Sequence, residues 1–377
     1  MSKKNNHCLL VLSGILFTAT FSFGAAVNAA SSDMATKSYI IVAHPQTDIK
    51  SLGQLIARTE KNYGAVKQHQ FKHALRGFSA RIPTALIDRI QRENPEISYI
   101  EPNARISVAP PRSIRVTAKA GPAIQTTPWG VFRVGGGVNG SGRHAWVIDT
   151  GIDAKHEDLN VGSGANFVLK GRNSISDGNG HGTHVAGTIA ALDNGIGVIG
   201  VAAGATVHPV RVLDNNGSGT IDSVIAGIDY VMQNADPLRG DVANLSLGAF
   251  GHFQSLHDAI VNTANSGIRF AIAAGNDAAH ADQFEPAHIE HNNVVTISAS
   301  DSSDVFASFS NYGNPPVDVA APGVSIYSTW LRNGYATLDG TSMAAPHAAG
   351  LMLLNSLNTD GLVKADPDGI ADPIAHY

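Results

Sequence analysis

A continuous apolar run that ends in a polar turn is the feature that most limits the fold of this chain. Phe270-Ala271-Ile272-Ala273-Ala274 contains no polar residue and is closed by Gly275 and Asn276. An uninterrupted run of this kind is typical of a parallel strand that is buried on both faces of its sheet. We therefore predict an α/β fold with three layers, in which a mostly parallel sheet lies between helices.

Polar residues stand at the ends of two predicted strands. Val147-Ile148 leads into Asp149, and Asn276 follows the run described above. In open α/β sheets, ligands bind beyond the carboxyl ends of the strands. Asp149 and Asn276 are therefore candidate functional residues. Each also has a purely structural explanation, because Asp-Thr-Gly often forms a turn and asparagine tolerates left-handed backbone.

A third candidate is Ser342, which follows Gly340 and Thr341 and precedes an alanine-rich apolar run from Met343 to Leu354. The pattern predicts a tight turn that opens a buried helix, with Ser342 at the helix N-terminus. Unpaired backbone N–H groups and the positive end of the helix dipole would stabilise an oxyanion beside this serine. Taken alone, the segment also fits an ordinary helix N-cap.

His181 would supply the base that a nucleophilic serine needs. It lies in the segment Gly180-His181-Gly182-Thr183-His184, which runs into another predicted helix. A serine hydroxyl reacts when a histidine takes its proton and a carboxylate fixes the tautomer of that histidine. The alternative is zinc binding by His181 and His184. Zinc peptidases, however, space two histidines four residues apart with a glutamate after the first.

These segments together resemble those of the subtilisin-like serine proteases, and the resemblance extends over nearly the whole chain. The order Asp149, His181, Ser342 is the order found in subtilisin. The resemblance implies that Asp149 orients His181, that His181 is the general base and acid, and that Ser342 attacks the scissile carbonyl. It also implies that the side-chain amide of Asn276 is the second oxyanion donor. We therefore expect a monomeric serine endopeptidase that cleaves polypeptide substrates through an acyl-enzyme.

The same resemblance implies a set of substrate-binding residues. In the family, two glycine-containing segments pair as edge strands with an extended peptide. Here they correspond to Gly217, Ser218 and Gly219 and to Ser246, Leu247 and Gly248. The second segment would also wall the primary specificity pocket, together with Ala273, Ala274 and Gly275. The floor of that pocket falls within residues 277–289, so the sequence does not give the preferred residue. For residues 217–219, a plain flexible loop is the alternative.

Two glycines in the segment Leu192-Asp193-Asn194-Gly195-Ile196-Gly197-Val198 would allow several carbonyls to face one point, as a hard cation requires. We expect this loop to interrupt the helix that follows His181. The resemblance implies a structural calcium ion (Ca2+) at this loop. Its implied ligands are the side chains of Gln125, Asp158 and Asn194 and the carbonyls of Leu192, Ile196 and Val198. A helix-breaking loop without metal is the alternative.

The first 30 residues have the pattern of a secretory signal peptide. Two lysines precede an apolar stretch from Leu9 to Val27, and Ala29 and Ala30 offer a cleavage site. The pattern predicts a secreted, extracellular protein that keeps no membrane anchor after signal removal. The only cysteine, Cys8, would leave with the signal peptide, so the exported protein would contain no disulfide.

Residues 31–108 are predicted to form a separate small domain. Their strand and helix patterns follow the ferredoxin-like order β-α-β-β-α-β. The predicted elements are strands at 38–42 and 97–103, a strand pair within 73–82, and helices at 49–63 and 83–93. Gly77-Phe78-Ser79-Ala80 and Tyr99-Ile100-Glu101-Pro102-Asn103 resemble the inhibitor propeptide of the same protease family. The resemblance implies an intramolecular inhibitor and folding chaperone. An independent ligand-binding domain with this fold is the alternative.

The segment 109–123 separates this unit from the predicted peptidase domain, residues 124–377. It is rich in proline, glycine and basic residues, shows no periodicity, and is predicted to be a flexible linker. We expect the enzyme to cut its own chain within this processing region, between about Val108 and Ile124.

Charge differs in sign between the two units. Residues 31–123 contain 14 Lys and Arg against 7 Asp and Glu, whereas residues 124–377 contain 10 against 24. Opposite charges would favour docking of one unit on the other. The larger unit has no basic patch, which argues against nucleic-acid binding. Two other protein classes remain open: a catalytically silent binding protein with this fold, and a metal-dependent hydrolase centred on His181 and His184.

Overall fold

The computed structural model describes residues 35–108, 114–117, 124–171 and 173–377. The predicted signal peptide lies outside these ranges. Among the helices described, none combines the length and the apolar character needed to cross a membrane. The described residues up to 108 contain a four-stranded sheet and are called the N-terminal domain; those from 124 onward contain a ten-stranded sheet and are called the larger domain.

The N-terminal domain consists of β1 (Thr36–Ala43), α1 (Ile49–Tyr63), β2 (Val66–Phe71), β3 (Gly77–Pro83), a 3-10 turn (Thr84–Leu86), α2 (Ile87–Glu93), β4 (Ile97–Pro102) and β5 (Arg105–Ser107). One further strand, β6 (Ile114–Thr117), comes between the two domains in the chain.

The described part of the larger domain has five α-helices and one 3-10 turn. They are α3 (Trp129–Arg133), α4 (His181–Ala190), α5 (Ile221–Asn234), α6 (Gln254–Asn265), the 3-10 turn Ala281–Gln283, and α7 (Thr341–Leu353). Its strands are β7 (Val138–Asn139), β8 (His144–Asp149), β9 (Asn160–Val161), β10 (Ala165–Asn166), β11 (Ala202–Ala203), β12 (Thr206–Arg211), β13 (Ser218–Thr220), β14 (Val242–Leu245), β15 (Ala249–Phe250), β16 (Arg269–Ala273), β17 (Phe284–Glu285), β18 (Val294–Ser300), β19 (Val319–Pro322), β20 (Ile326–Trp330), β21 (Gly334–Leu338), β22 (Asn358–Leu362) and β23 (Pro373–His376).

The N-terminal domain has the predicted ferredoxin-like fold. Its antiparallel sheet has the strand order β2-β3-β1-β4. Leu55 of α1 and Ile90 of α2 are buried in one apolar cluster with Ile41 of β1 and Phe78 of β3. Both helices therefore cover the same face of the sheet, which gives the small domain its own core.

One strand of the predicted hairpin is placed differently in the structure. The pair was expected within residues 73–82, but β2 lies upstream at Val66–Phe71, and only β3 falls within that range. The backbone N–H groups of Lys72, His73 and Ala74 donate to the carboxylate of Asp229 at 2.6–3.0 Å. These residues form a turn rather than a strand because their donors are bound by a side chain of the larger domain.

The main sheet of the larger domain confirms the predicted α/β architecture. Its central strands are parallel and follow the order β12-β8-β14-β16-β18-β19, and β22 and β23 form an antiparallel edge. Side chains alternate between two cores. Ala271 and Ala273 of β16 pack on one side, whereas Phe270 and Ile272 pack on the other. Both faces are buried, as the apolar run predicted.

Two helices cover each face of this sheet. Helices α4 and α7 contribute Val185, Ile189 and Ala345 to one core, and α5 and α6 contribute Ile225 and Ile260 to the other. Every residue of α7 is buried, including Pro346 in its interior. Helix α7 is thus a central helix, which explains why its sequence is apolar all round rather than amphipathic.

The N-terminal domain docks on α5 and α6 of the larger domain through polar contacts as well as apolar ones. The carboxylate of Asp222 accepts the Ser79 hydroxyl at 2.7 Å, and that of Asp258 accepts the Tyr99 hydroxyl at 2.7 Å. With Asp229, three acidic side chains of the larger domain bind the smaller one. This arrangement agrees with the opposite net charges of the two units.

Two predictions about loops are corrected by the structure. The segment 109–123 was expected to be a flexible linker without periodicity, yet residues 114–117 form β6, which pairs antiparallel with β21. The sequence of β6, Ile-Arg-Val-Thr, alternates between apolar and polar residues, as strands do, and the edge of β21 supplies the backbone partners. Residues 109–113 and 118–123 lie outside the described ranges, so for them the prediction stands untested. The loop 192–198 was expected to interrupt a helix, but α4 ends at Ala190 and no helix resumes after the loop. Ala191, with φ of −51° and ψ of 141°, already leaves helical backbone. The positive φ of Gly195 and Gly197, 82° and 63°, keeps the loop that follows non-helical.

Candidate active site

Asp149 and His181 form a buried pair at the carboxyl edge of the sheet. Asp149 is the last residue of β8, and His181 is the first residue of α4. Nδ1 of His181 lies 2.9 Å from each carboxylate oxygen of Asp149. The Asp149 Oδ1 atom also accepts the Thr150 N–H at 2.7 Å. The ring of His181 is therefore held by its Nδ1 side, and its Nε2 has no hydrogen-bond partner among the described residues.

The charge of Asp149 controls the protonation of His181. Burial alone would lower the pKa of this histidine, but the charge and hydrogen bond of Asp149 and the charge of Asp177 together raise it above its ordinary value. Burial and the nearby His181 lower the pKa of His184 to about 3. Nε2 of His184 lies 3.0 Å from the carbonyl oxygen of Ile326. His184 is thus a neutral packing residue, and it belongs to no metal-binding cluster among the described residues.

Asp177 organises the loop that presents His181, and the sequence analysis did not identify it. Its Oδ1 accepts the N–H groups of Asn179 and Gly180 at 2.9 Å each, and its Oδ2 accepts the N–H and hydroxyl of Thr183. Gly180 has φ of 110°, a conformation that favours glycine. The string Asp-Gly-Asn-Gly at 177–180 could have identified it, since such strings are typical of turns in which a side chain binds backbone N–H groups.

Ser342 lies in the first turn of α7, next to Asn276. The hydroxyl and N–H of Thr341 both donate to Oδ1 of Asn276 at 2.9 Å. A Cβ atom on Gly340 would lie 3.4 Å from Nδ2 of Asn276 and 3.7 Å from the backbone N of Ser342. Both nitrogens therefore lie beside Gly340, close to the start of α7. The Ser342 hydroxyl donates to the carbonyl of Ser246 at 3.2 Å.

The predicted catalytic residues lie along one edge of the sheet because neighbouring parallel strands end there. Strand β14 lies between β8 and β16. Asp149 ends β8, Ser246 follows β14, and Asn276 follows β16. The Ser246 hydroxyl donates to the Ser342 carbonyl at 3.0 Å, which ties α7 to this edge. A hydroxyl, an imidazole with a buried carboxylate, and amide groups thus lie along the same edge of the sheet.

A cavity of about 280 Å³ opens beside Ser342. Its lining includes five of the six predicted pocket residues, Leu247, Gly248, Ala273, Ala274 and Gly275, together with Asn276 and Ser342. It also includes Phe284, Glu285, Pro286 and Ala287 from the segment expected to form the pocket floor. Ser246 lies behind this wall and contacts Ser342 instead. Phe250 and Ser107 also line the cavity and were not predicted.

The predicted peptide-binding segments contact the chain's own strand β5. Strand β13 (Ser218–Thr220) pairs antiparallel with β5 (Arg105–Ser107). On the other side, Ser107 and Gly248 exchange backbone hydrogen bonds of 3.3 and 3.1 Å, and the Val108 N–H donates to the Gly217 carbonyl at 3.0 Å. The end of the N-terminal domain thus lies as a middle strand between residues 217–220 and Gly248.

The six predicted calcium ligands are also brought together. The side-chain Nε2 of Gln125 donates to the carbonyls of Leu192 and Val198 at 2.6 and 3.3 Å. Its Oε1 accepts the Gly195 N–H. Oδ2 of Asp158 accepts the Val198 N–H at 3.0 Å. Asn194 and Ile196 lie in the same loop, where the N–H of Ile196 donates to Oδ1 of Asn194 at 3.0 Å.

The donor set of this loop fits a calcium ion. Asp158 is fully buried, its Oδ1 has no hydrogen-bond partner among the described residues, and burial raises its pKa to about 6. A buried carboxylate oxygen without a partner is unfavourable unless a cation or donor meets it. The remaining donors are carbonyl and amide oxygens, which calcium prefers.

Comparison with known proteins agrees with this geometry. Residues 144–360 match the model of the subtilase family, and residues 24–109 match that of the peptidase inhibitor I9 family. An extracellular serine proteinase of a Thermus species is 38% identical over 87% of this chain and 75% of its own length. A thermostable alkaline protease of Halalkalibacterium halodurans is 36% identical over 90% of this chain and 86% of its own.

A solved structure gives the same result. The crystal structure of a cold adapted subtilisin-like serine proteinase is 37% identical, covers 68% of this chain and 98% of its own, and superimposes with a TM-score of 0.59. The matched families, the relatives and the fold agree. The chain belongs to the subtilase family of serine endopeptidases and carries an I9-type inhibitor domain ahead of its catalytic domain.

Proposed function

We propose that this subtilase hydrolyses peptide bonds through an acyl-enzyme, with Asp149, His181 and Ser342 as its catalytic triad. The main support is the buried Asp149–His181 pair at the sheet edge where Ser342 lies in the first turn of α7. In this mechanism His181 Nε2 takes the Ser342 proton as Oγ attacks the scissile carbonyl. The same proton then goes to the leaving amine, and water releases the acyl group by the reverse sequence.

The developing oxyanion would be held by Asn276 Nδ2 and the Ser342 N–H. Two contacts from Thr341 fix Oδ1 of Asn276, so the amide would not need to reorganise during the reaction. In subtilisin, a member of this family, loss of the equivalent donor costs about 100- to 1,000-fold in kcat, and the same order is expected here. The Ser342 hydroxyl must turn from the Ser246 carbonyl to His181 for attack.

An extended polypeptide would bind where β5 now lies. Residues 217–219 and 246–248 would pair with its backbone, and the cavity beside Ser342 would take the side chain before the cleaved bond. The cavity is walled by small residues such as Ala273 and Gly275, and buried Glu285 lies among its lining. The occupancy of this groove by β5 supports the N-terminal domain as an inhibitor of the same chain.

The proposal also includes secretion of the protein and its maturation from a precursor. The sequence of residues 1–30 supports export by a cleaved signal peptide, and the relative from a Thermus species is itself named an extracellular serine proteinase. The chain would be made as a zymogen, with residues 31–108 as inhibitor and chaperone, 109–123 as processing region and 124–377 as the peptidase. A calcium ion held by Gln125, Asp158, Leu192, Asn194, Ile196 and Val198 would stabilise the mature protein.

Covalent labelling tests the triad directly. A fluorophosphonate should form one adduct, on Ser342, when the protein is folded and free of the N-terminal domain, because only an activated serine reacts. Mass spectrometry of the digested protein identifies the site, and denatured protein is the control. A folded sample without an adduct would indicate a silent binding protein, and activity lost to a chelator without serine labelling would indicate a metal-dependent hydrolase.

Self-processing gives a second prediction. A precursor carrying Ser342→Ala should keep its full length after signal removal, whereas Ser302→Ala, a change at an exposed turn, should be processed as the parent is. Gel electrophoresis and intact-mass measurement of purified precursors follow the cut between Val108 and Ile124. Normal processing of the Ser342→Ala precursor, with no other protease present, would contradict self-cleavage.

The pH profile should follow His181. The neutral ring accepts the serine proton, and the raised pKa means that the ring stays protonated to a higher pH than a free histidine. The value of kcat/KM should therefore rise with pH through that titration and stay high in mildly alkaline solution. The measurement uses an uncharged peptide substrate, so that substrate ionisation does not contribute. A rate maximum near pH 4 would be incompatible with His181 as the base.

Calcium removal should shorten the lifetime of the mature enzyme. A ligand that binds the native state alone adds about 3 kcal/mol of stability at a hundredfold excess over its Kd. Asp158→Asn removes the one full negative charge of the proposed ligand set, so it should lower calcium affinity more than the control Asp193→Asn. Half-lives of thermal inactivation are compared with excess calcium and with chelator. The site is wrongly assigned if chelator leaves the parent unchanged or if Asp193→Asn is the more damaging change.

A further inference from the structure

Three histidines and a glutamate gather at the outer wall of the pocket, apart from the catalytic residues and the calcium loop. The ligand atoms of His252, Glu285 and His288 all lie within 4.8 Å of one another. Glu285 ends β17, His252 follows β15, and these two strands pair with each other. His257, in α6, adds an imidazole whose Nδ1 lies 3.3 Å from Nε2 of His288.

Glu285 is the buried centre of this cluster. Its side chain is 0% exposed, and its Oε1 has no hydrogen-bond partner among the described residues. Its Oε2 has only a long contact of 3.4 Å with the Phe253 N–H and one of 3.4 Å with Nδ1 of His288. Burial raises the pKa of Glu285 to about 8, and the charges of Glu101 and Asp258 act in the same direction. In its ionised form, this buried carboxylate would have an oxygen without a donor, which is unfavourable unless a cation lies beside it.

The two ring nitrogens of His288 face different partners, as those of a metal-bound histidine do. A metal-bound imidazole usually keeps its second nitrogen in a hydrogen bond, which fixes the ring. In His288, Nδ1 lies on the Glu285 side, where the Phe284 carbonyl is also 3.3 Å away, and Nε2 lies on the His257 side. The ring of His252 stands perpendicular to that of His288, with centroids 4.4 Å apart. His252 is exposed, so an ion could enter from solvent.

We propose that His252, Glu285 and His288 bind a divalent transition-metal ion of the zinc class, with His257 positioning His288. Two imidazoles and one carboxylate are a nitrogen-rich donor set, which zinc-type ions prefer and calcium does not. In a tetrahedral zinc site, donor atoms stand about 3.3 Å apart. Nδ1 of His288 and Oε2 of Glu285 already have a separation of 3.4 Å. Exposed His252 needs only a side-chain rotation, and water would fill the open position.

The ion would connect two segments of the pocket wall. Phe250, Phe284 and Glu285 line the cavity beside Ser342, and β15 and β17 carry them. Binding at His252 and Glu285 would fix these strands to each other and to α6. This property goes beyond the proposed proteolysis, and metal binding can be measured on a protein that cannot cleave peptides.

The test is a calorimetric titration of the full chain carrying Ser342→Ala with Zn2+, in excess calcium. One equivalent should bind, and the melting temperature should rise with zinc. His252→Gln, His288→Gln and Glu285→Gln should each weaken Kd by more than tenfold, and His257→Gln by roughly tenfold, as expected for a residue that orients a ligand. His73→Gln, at an exposed histidine of the N-terminal domain, is the matched control and should leave Kd unchanged.

His252 is exposed, so its glutamine variant should fold even if changes at buried Glu285 do not. The proposal is overturned if no saturable zinc binding occurs. It is equally overturned if His252→Gln binds zinc as the parent does, or if His181→Gln rather than His252→Gln abolishes binding, since the ion would then lie at the catalytic pair.

Discussion

The whole arrangement depends on a parallel sheet that is buried on both faces. Alternate side chains of β16 enter two separate cores, so the strand offers few positions for polar groups. A buried polar residue such as Thr296 is tied to a backbone carbonyl instead of being left for chemistry. Reactive side chains are therefore concentrated where the chain leaves the sheet, and Asp149, Ser246 and Asn276 all occupy such positions.

The sequence predicted structure best where a local residue pattern is compatible with only one kind of structural environment. The apolar run at 270–274 specified a strand buried on both sides, and the Gly-Thr-Ser turn before an apolar helix specified where Ser342 lies. The residues of the proposed calcium site lie near one another, although Asp158 comes from a loop far along the chain from Val198. In these cases local backbone requirements and long-range packing agree, so short motifs carried three-dimensional information.

Other features depended on contacts between distant segments and could not be read from local patterns. Residues 72–74 form a turn because Asp229 binds their N–H groups, and β6 is a strand because the edge of β21 is available. The His252–Glu285–His288 cluster joins residues from separate strands and loops, with no motif spacing to signal it. Such features follow from tertiary structure, which can override the preferences of the residues involved.

The position of β5 has a consequence for what the enzyme can digest. Between β13 and Gly248 there is room for a single extended strand, whose backbone is bound from both sides. On the proposed function, a helix or a closed loop cannot enter without losing its own backbone hydrogen bonds. A folded protein would then be attacked at the rate set by the free energy of local opening, as is general for proteolysis of native states. The groove would thus select flexible segments first, and side-chain preference would act only among segments that have already opened.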